Sequence, residues 1–150
     1  MAESVVSESI DTYGSEPLND MIRKLKTASD PRRRYEYVLW LAKKLPELPE
    51  ELRTEDIKVK GCVSQVFVLG ELNEGLLRWK GYSDALITKG LLAFLIQGLN
   101  DLTPTEVSQI QPSFIEDSGL QGSLTPSRAN GFLNILLAMQ SQAEAYISKD

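Results

Sequence analysis

Whatever thiol chemistry is open to this 150-residue chain runs through one residue, because Cys62 is its single cysteine. The chain has no histidine. That removes Ser-His and Cys-His nucleophile pairs, imidazole general bases and imidazole metal ligands. One cysteine also allows no intramolecular disulfide and no CxxC redox or zinc pair. Neither GxGxxG nor GxxxxGK[ST] occurs, so there is no glycine-rich phosphate loop of either kind. Covalent chemistry is left to Cys62, or to Ser, Thr, Lys or a carboxylate.

Cys62 follows Gly61 and precedes the apolar run Val66-Phe67-Val68-Leu69. Glycine lets the backbone turn sharply, which puts the cysteine at the tip or shoulder of a loop joining two strands. Two readings stand side by side. A free cysteine often serves as a small buried hydrophobe. A protein that holds a sulfane sulfur, by contrast, should lack a second nearby thiol, whose attack on the persulfide would release sulfide and leave a disulfide. The nucleophile must be a thiolate, favoured by nearby cations or a helix N-terminus. Lys58, Lys60 and Arg128 are the candidate cations, and the sequence does not choose among them.

Three helix starts position these residues, each a capping residue followed by proline: Asp30-Pro31, Thr103-Pro104 and Thr125-Pro126. Thr103 with Glu106 forms a capping-box pattern. The spacing of Leu18, Met21, Ile22 and Leu25 predicts a first short helix, and Tyr35, Val38, Leu39, Ala42 and Leu45 mark a second over 31–45. Pro46 and Pro49 end it in a stiff connector. Strands are expected at 57–60, 65–72 and 76–82, the last two joined by a three-residue hairpin loop with Gly75 left-handed. A helix over 85–99, capped by Ser83 or Asp84, follows. Then come a short helix over 103–109, a loop holding Phe114 and Ile115, and a last helix over 126–147 with Phe132, Ile135, Leu136, Met139 and Ala143 on its apolar face. Helices, a meander of about three antiparallel strands, and helices again imply an α+β domain with helices packed on one face of a small sheet.

A chain of this length fits one domain with a real core. With 42% hydrophobic and 25% charged residues it has the balance of a soluble globular protein. Residues 1–16 are expected to form an acidic, mobile tail, and residues 17–150 the single domain. The N-terminal stretch has neither the composition of a secretory signal nor the arginine content of a transit peptide, which favours a cytoplasmic protein. The apolar run 85–99 is too short to cross a bilayer, which needs about 20 apolar residues. A net charge of −5 argues against nucleic acid as a partner. The cluster Arg32-Arg33-Arg34 reads as a solvated face, or else as a patch for an acidic protein surface.

Gly61-Cys62-Val63-Ser64-Gln65-Val66 resembles the cysteine signature of the SufE family of iron–sulfur biogenesis proteins. Three further blocks resemble the family in the same order. They are Leu41-Ala42-Lys43-Lys44-Leu45-Pro46-Glu47-Leu48-Pro49, then Ser83-Asp84-Ala85 with Lys89-Gly90-Leu91-Leu92-Ala93, then Leu124-Thr125-Pro126-Ser127-Arg128-Ala129-Asn130-Gly131. The resemblance implies a SufE/IscU-like α+β fold. It implies a persulfide carrier rather than an enzyme, with no cofactor of its own. Its partner would be a SufS-like cysteine desulfurase that carries pyridoxal phosphate. Cys62 would take the sulfur as a persulfide, stimulate the desulfurase, and deliver to a SufBCD-like iron–sulfur scaffold. The sequence leaves a homodimer open. Val63, where family members usually carry a polar residue, and Phe67, where tryptophan is common, bear on partner specificity rather than on the chemistry.

The supporting site residues are Gly61 for loop geometry, Ser64 and Gln65 for hydrogen bonds to the loop or the persulfide, and Arg128 for positioning Cys62 or a partner carboxylate. Asp84 reads as a helix cap before a catalytic acid, and Trp79 and Tyr82 as packing residues. The Cys62 loop is expected to rest in an apolar pocket and to swing out on docking. Rival readings are an interaction module with a structural cysteine, a cysteine hydrolase or peroxidase, and a SufE-like subunit serving a related desulfurase.

Overall fold

Helices begin where side chains satisfy the first free N–H groups. In the computed structural model, which describes residues 13–148, α1 (Glu16–Thr27) starts at Ser15, whose hydroxyl accepts from the Leu18 N–H. The Asp30 carboxylate caps α2 (Pro31–Leu41) by accepting from the Arg32 N–H at 2.9 Å. Two strands follow, β1 (Val66–Asn73) and β2 (Leu76–Ser83), then α3 (Leu86–Leu99), α4 (Pro104–Ser108), α5 (Ser113–Asp117) and α6 (Pro126–Ser148). Thr103 and Glu106 make the reciprocal capping box at α4. Thr125 Oγ1 accepts from the Arg128 N–H at 3.2 Å and caps α6.

The fold is α+β, with helices against a small antiparallel sheet, but among the described residues the sheet has two strands where about three were expected. The stretch 57–60 is instead a 3-10 turn, Glu55–Ile57, followed by a single antiparallel bridge from Lys58 to Phe67. The hairpin is also tighter than expected. Asn73 pairs with Leu76, leaving the two-residue turn Glu74-Gly75 with φ of 53° and 85°. Two consecutive positive φ angles are those of the primed turn that matches strand twist. The residues 113–117 form a short helix rather than a loop.

The unpaired edges of a two-stranded sheet need cover, and each edge receives it. Beside β2, Leu48 N–H donates to Gly81 O at 3.0 Å and Gly81 N–H to Pro46 O at 3.0 Å. Further along, Leu77 N–H donates to Leu102 O at 2.8 Å. Beside β1, Val59 N–H donates to Val66 O at 2.8 Å. The Gln142 amide of α6 then stands in for a strand: it donates to Val68 O at 2.7 Å and accepts from Gly70 N–H at 2.9 Å.

Val66, Val68, Leu77 and Trp79 face the helices, and Gly70 leaves room for the Trp79 ring, which a Cβ would meet at 2.5 Å. The central α3 is apolar nearly all round and accordingly buried on most sides. Phe94, Phe114 and Phe132 cluster at its core, with ring centroids 5.7–6.2 Å apart. Of the stretch expected to be tail, residues 1–12 lie outside the described residues. Tyr13 to Glu16 belong to the domain: Tyr13 N–H donates to Asn19 Oδ1 at 2.7 Å, and Ser15 Oγ donates to Gly98 O at 2.6 Å. No described helix is long and apolar enough to cross a membrane.

Candidate functional site

Gly61 has φ of +82°, the left-handed region that favours glycine, and this turn starts the loop that carries Cys62. The loop closes where it rejoins the sheet. Gln65 N–H donates to Asp84 Oδ1 at 3.0 Å, and Asp84 N–H donates back to Gln65 O at 3.3 Å. Between these points the chain rests on the first turns of α6. Cys62 is half-buried, and its thiol donates to the Gly131 carbonyl at 3.7 Å. One helical turn on, Asn134 Nδ2 donates to Gly61 O at 3.0 Å. The next residue in the loop, Val63, is 80% exposed.

A cavity of about 10 Å³ adjoins Cys62, lined by Val63, Ser64, Thr88, Ser127, Arg128 and Gly131. That is about the room of one water-sized atom. The lining is mixed rather than the apolar pocket expected: Ser64 Oγ lies 3.4 Å from Thr88 Oγ1, and Arg128 brings a charge. Burial pushes the Cys62 thiol up from its ordinary range. At rest, Cys62 is therefore a protonated thiol pointed at a carbonyl.

Comparison with known proteins decides the family. The family model SufE, described as an Fe-S metabolism associated domain, matches residues 19–143. The chain belongs to the SufE family. An uncharacterized SufE-like protein of Synechocystis is 50% identical over 129 residues, covering 86% of this chain and 81% of that protein. The cysteine desulfuration protein SufE of Plasmodium vivax is 38% identical over 117 residues, covering 75% of this chain and 46% of that protein, so this chain spans less than half its length. Among solved structures, a hypothetical protein of Thermus thermophilus superposes with a TM-score of 0.78 at 25% identity, covering 89% of this chain and 98% of that one.

Within this SufE fold, the residues expected at the site are brought together unequally. Gly61, Cys62 and Ser64 form the loop, and Arg128 reaches it from α6. Arg128 makes no ion pair among the described residues, and it lines the cavity where Lys58 and Lys60 do not. Gln65 contributes its backbone rather than its side chain. Asp84 does not cap α3, whose N-cap is Ala85 with no side-chain bond; it fastens the loop instead. Trp79 is a packing residue, 1% exposed, with its indole N–H donating to Leu99 O at 3.2 Å. Tyr82 lies under the Arg53 guanidinium, 3.7 Å from ring centroid to Cζ.

Sequence reasoning missed Asn134 and Thr88, and quoted Ser127 and Gly131 in a family-like block without giving either a role. One signal was available. Asn134 is a polar residue among Phe132, Leu133, Ile135 and Leu136, three positions after Gly131 and so on the same side of the helix. Nothing in the order of residues says that this side meets position 61. Among the described residues no group of three His, Cys, Asp or Glu side chains could hold a metal ion.

Proposed function

We propose that this SufE-family chain is a sulfur acceptor and carrier. Cys62 takes one sulfane sulfur from a pyridoxal-phosphate cysteine desulfurase of the SufS kind and hands it to an iron–sulfur scaffold of the SufBCD kind. In this reading the chain binds no cofactor of its own, stimulates the desulfurase by clearing its persulfide, and shares its compartment, the cytoplasm. The observation that carries the reading is the placement of the only thiol. It lies on a loop that is pinned at both ends, beside Arg128, which makes no ion pair among the described residues, with an exposed apolar neighbour at the tip.

The chemistry follows from that placement. The Cys62 thiolate attacks the outer sulfur of the desulfurase persulfide. A new S–S bond forms on Cys62, the old S–S bond breaks, and the desulfurase cysteine leaves as its thiolate. The sulfane sulfur keeps its oxidation level, so no outside oxidant or reductant is needed. A cavity of about 10 Å³ cannot admit a partner's cysteine, so attack takes place with the loop moved outward. Leaving the pocket also hydrates the thiol and lowers the cost of ionising it. Arg128 is then placed to meet the anionic sulfur or a carboxylate of the partner. With no second thiol in the chain, the persulfide is not resolved to a disulfide in transit.

Intact-mass measurement after incubation with a cysteine desulfurase, pyridoxal phosphate and cysteine, without reductant, tests this. The expected result is a reductant-reversible gain of one sulfur atom, absent in Cys62→Ser. A folded protein that gains nothing beside an active cognate desulfurase would leave Cys62 a structural residue of an interaction module.

A further inference from the structure

Two polar contacts tie residues 61 and 62 to α6, and they come from residues one helical turn apart. The Gly131 carbonyl takes the Cys62 S–H at 3.7 Å, a long and weak bond. The Asn134 amide gives a normal hydrogen bond of 3.0 Å to Gly61 O. Asn134 also fills the space beside Gly61, where a Cβ would come within 2.5 Å of its Nδ2. The carbonyl it holds belongs to the residue at φ +82°, about whose backbone the loop leaves the sheet. Any outward swing of Cys62 that turns the Gly61 peptide must break this bond.

We propose that Asn134 is the latch of the Cys62 loop: through Gly61 O it sets how much of the population holds the thiol closed, and thereby how readily sulfur is accepted. It is a positioning residue, touching neither sulfur nor partner. The part of the inference that concerns sulfur transfer rests on the carrier reading; the part that concerns loop opening does not. A net hydrogen bond of ordinary strength corresponds to about a two- to tenfold change in the open population. A desulfurase that engages only the open form meets an apparent affinity scaled by that population. Loss of the latch should lower the KM for the carrier by the same factor without raising kcat.

The test compares wild-type full-length protein with Asn134→Ala, Asn134→Leu and Gln142→Ala. Leucine keeps the branched shape of asparagine and removes the polar amide, and with it the donor to Gly61 O. Gln142→Ala removes α6 contacts to β1, away from the loop, and controls for general loosening of the helix. The readout is the iodoacetamide alkylation rate of Cys62 across pH, with no partner present. Both Asn134 variants should react about two- to tenfold faster, with the rate midpoint moved down toward an ordinary thiol, while Gln142→Ala matches wild type. Rates unchanged in both Asn134 variants, or raised equally in Gln142→Ala, would overturn the latch. Because alkylation needs no desulfurase, the latch is judged even where wild type gains no sulfur from it. Such an absence would instead sink the carrier reading.

Discussion

At the scale of single residues, Cys62 is defined by a conflict between burial and reactivity. Its thiol is pushed up by burial, so its reaction with iodoacetamide should have a rate midpoint above that of the same cysteine in an unfolded peptide. The same shift fixes the sign of a stability effect. Since the folded pKa lies above the unfolded one, the contribution of the closed thiol is fully present below the unfolded value and is lost as pH rises through the folded value. Wild type should therefore lose stability relative to Cys62→Ala over that alkaline window, as urea denaturation at stepped pH would show. Arg128 brings a cation to the same cavity and makes no ion pair among the described residues. Arg128→Ala should slow sulfur uptake from a desulfurase about tenfold, the loss of one charge-assisted hydrogen bond. Arg128→Lys, which keeps the charge but not the fork, should recover part of the rate in the same stopped-time mass measurement.

At the scale of elements, the decisive contact is the crossing of α2 and α3. Gly90 lies against the α2 backbone so closely that a Cβ there would stand 2.1 Å from Val38 O. A backbone carbonyl inside a helix cannot give way, so Gly90→Ala should cost about 3 kcal/mol, at the upper end for overpacking. Chemical denaturation would read it directly, and an unchanged midpoint would mean that the helices can separate without loss. This crossing matters for the site because Thr88, two residues earlier on α3, lines the Cys62 cavity. The hairpin depends on its neighbours in a similar way. Two strands alone are marginal in water, and β1 and β2 persist because connector backbone and the Gln142 side chain complete both edges.

At the scale of the whole molecule, α6 is shared between core and site. Phe132, Ile135, Leu136 and Met139 are fully buried, while Gly131 and Asn134 on the adjoining face hold the loop. Any shift of this helix in the core therefore moves the floor under Cys62. Phe132 closes the aromatic cluster with edge-on contacts to Phe94 and Phe114. Phe132→Ala should cost about 3–5 kcal/mol, a large share of the roughly 5–15 kcal/mol that stabilises a domain. A thermal melt should show the midpoint falling well below wild type, and a drop of only a degree or two would mean that the core closes the void.

Much of the molecule was legible in its sequence because it is decided locally. The three cap-proline pairs at Asp30, Thr103 and Thr125 set helix starts through bonds to backbone two or three residues away. The periodicity of Leu18, Met21, Ile22 and Leu25 marked the buried face of α1. The lone cysteine and absent histidine limited the chemistry before any geometry was known. What stayed hidden depends on segments far apart in the chain. The stretch 57–60 has strand-like residues, but with a 3-10 turn before it and the loop after it, only Lys58 bridges to Phe67. Asp84 stands where a cap would, yet the folded loop offers it the Gln65 N–H instead. Whether Cys62 lay open or closed was settled by α6, which arrives 69 residues later to place Gly131 under the thiol. Local bonding patterns are written in neighbouring residues, whereas burial and the pKa shift it causes exist only once distant surfaces have met.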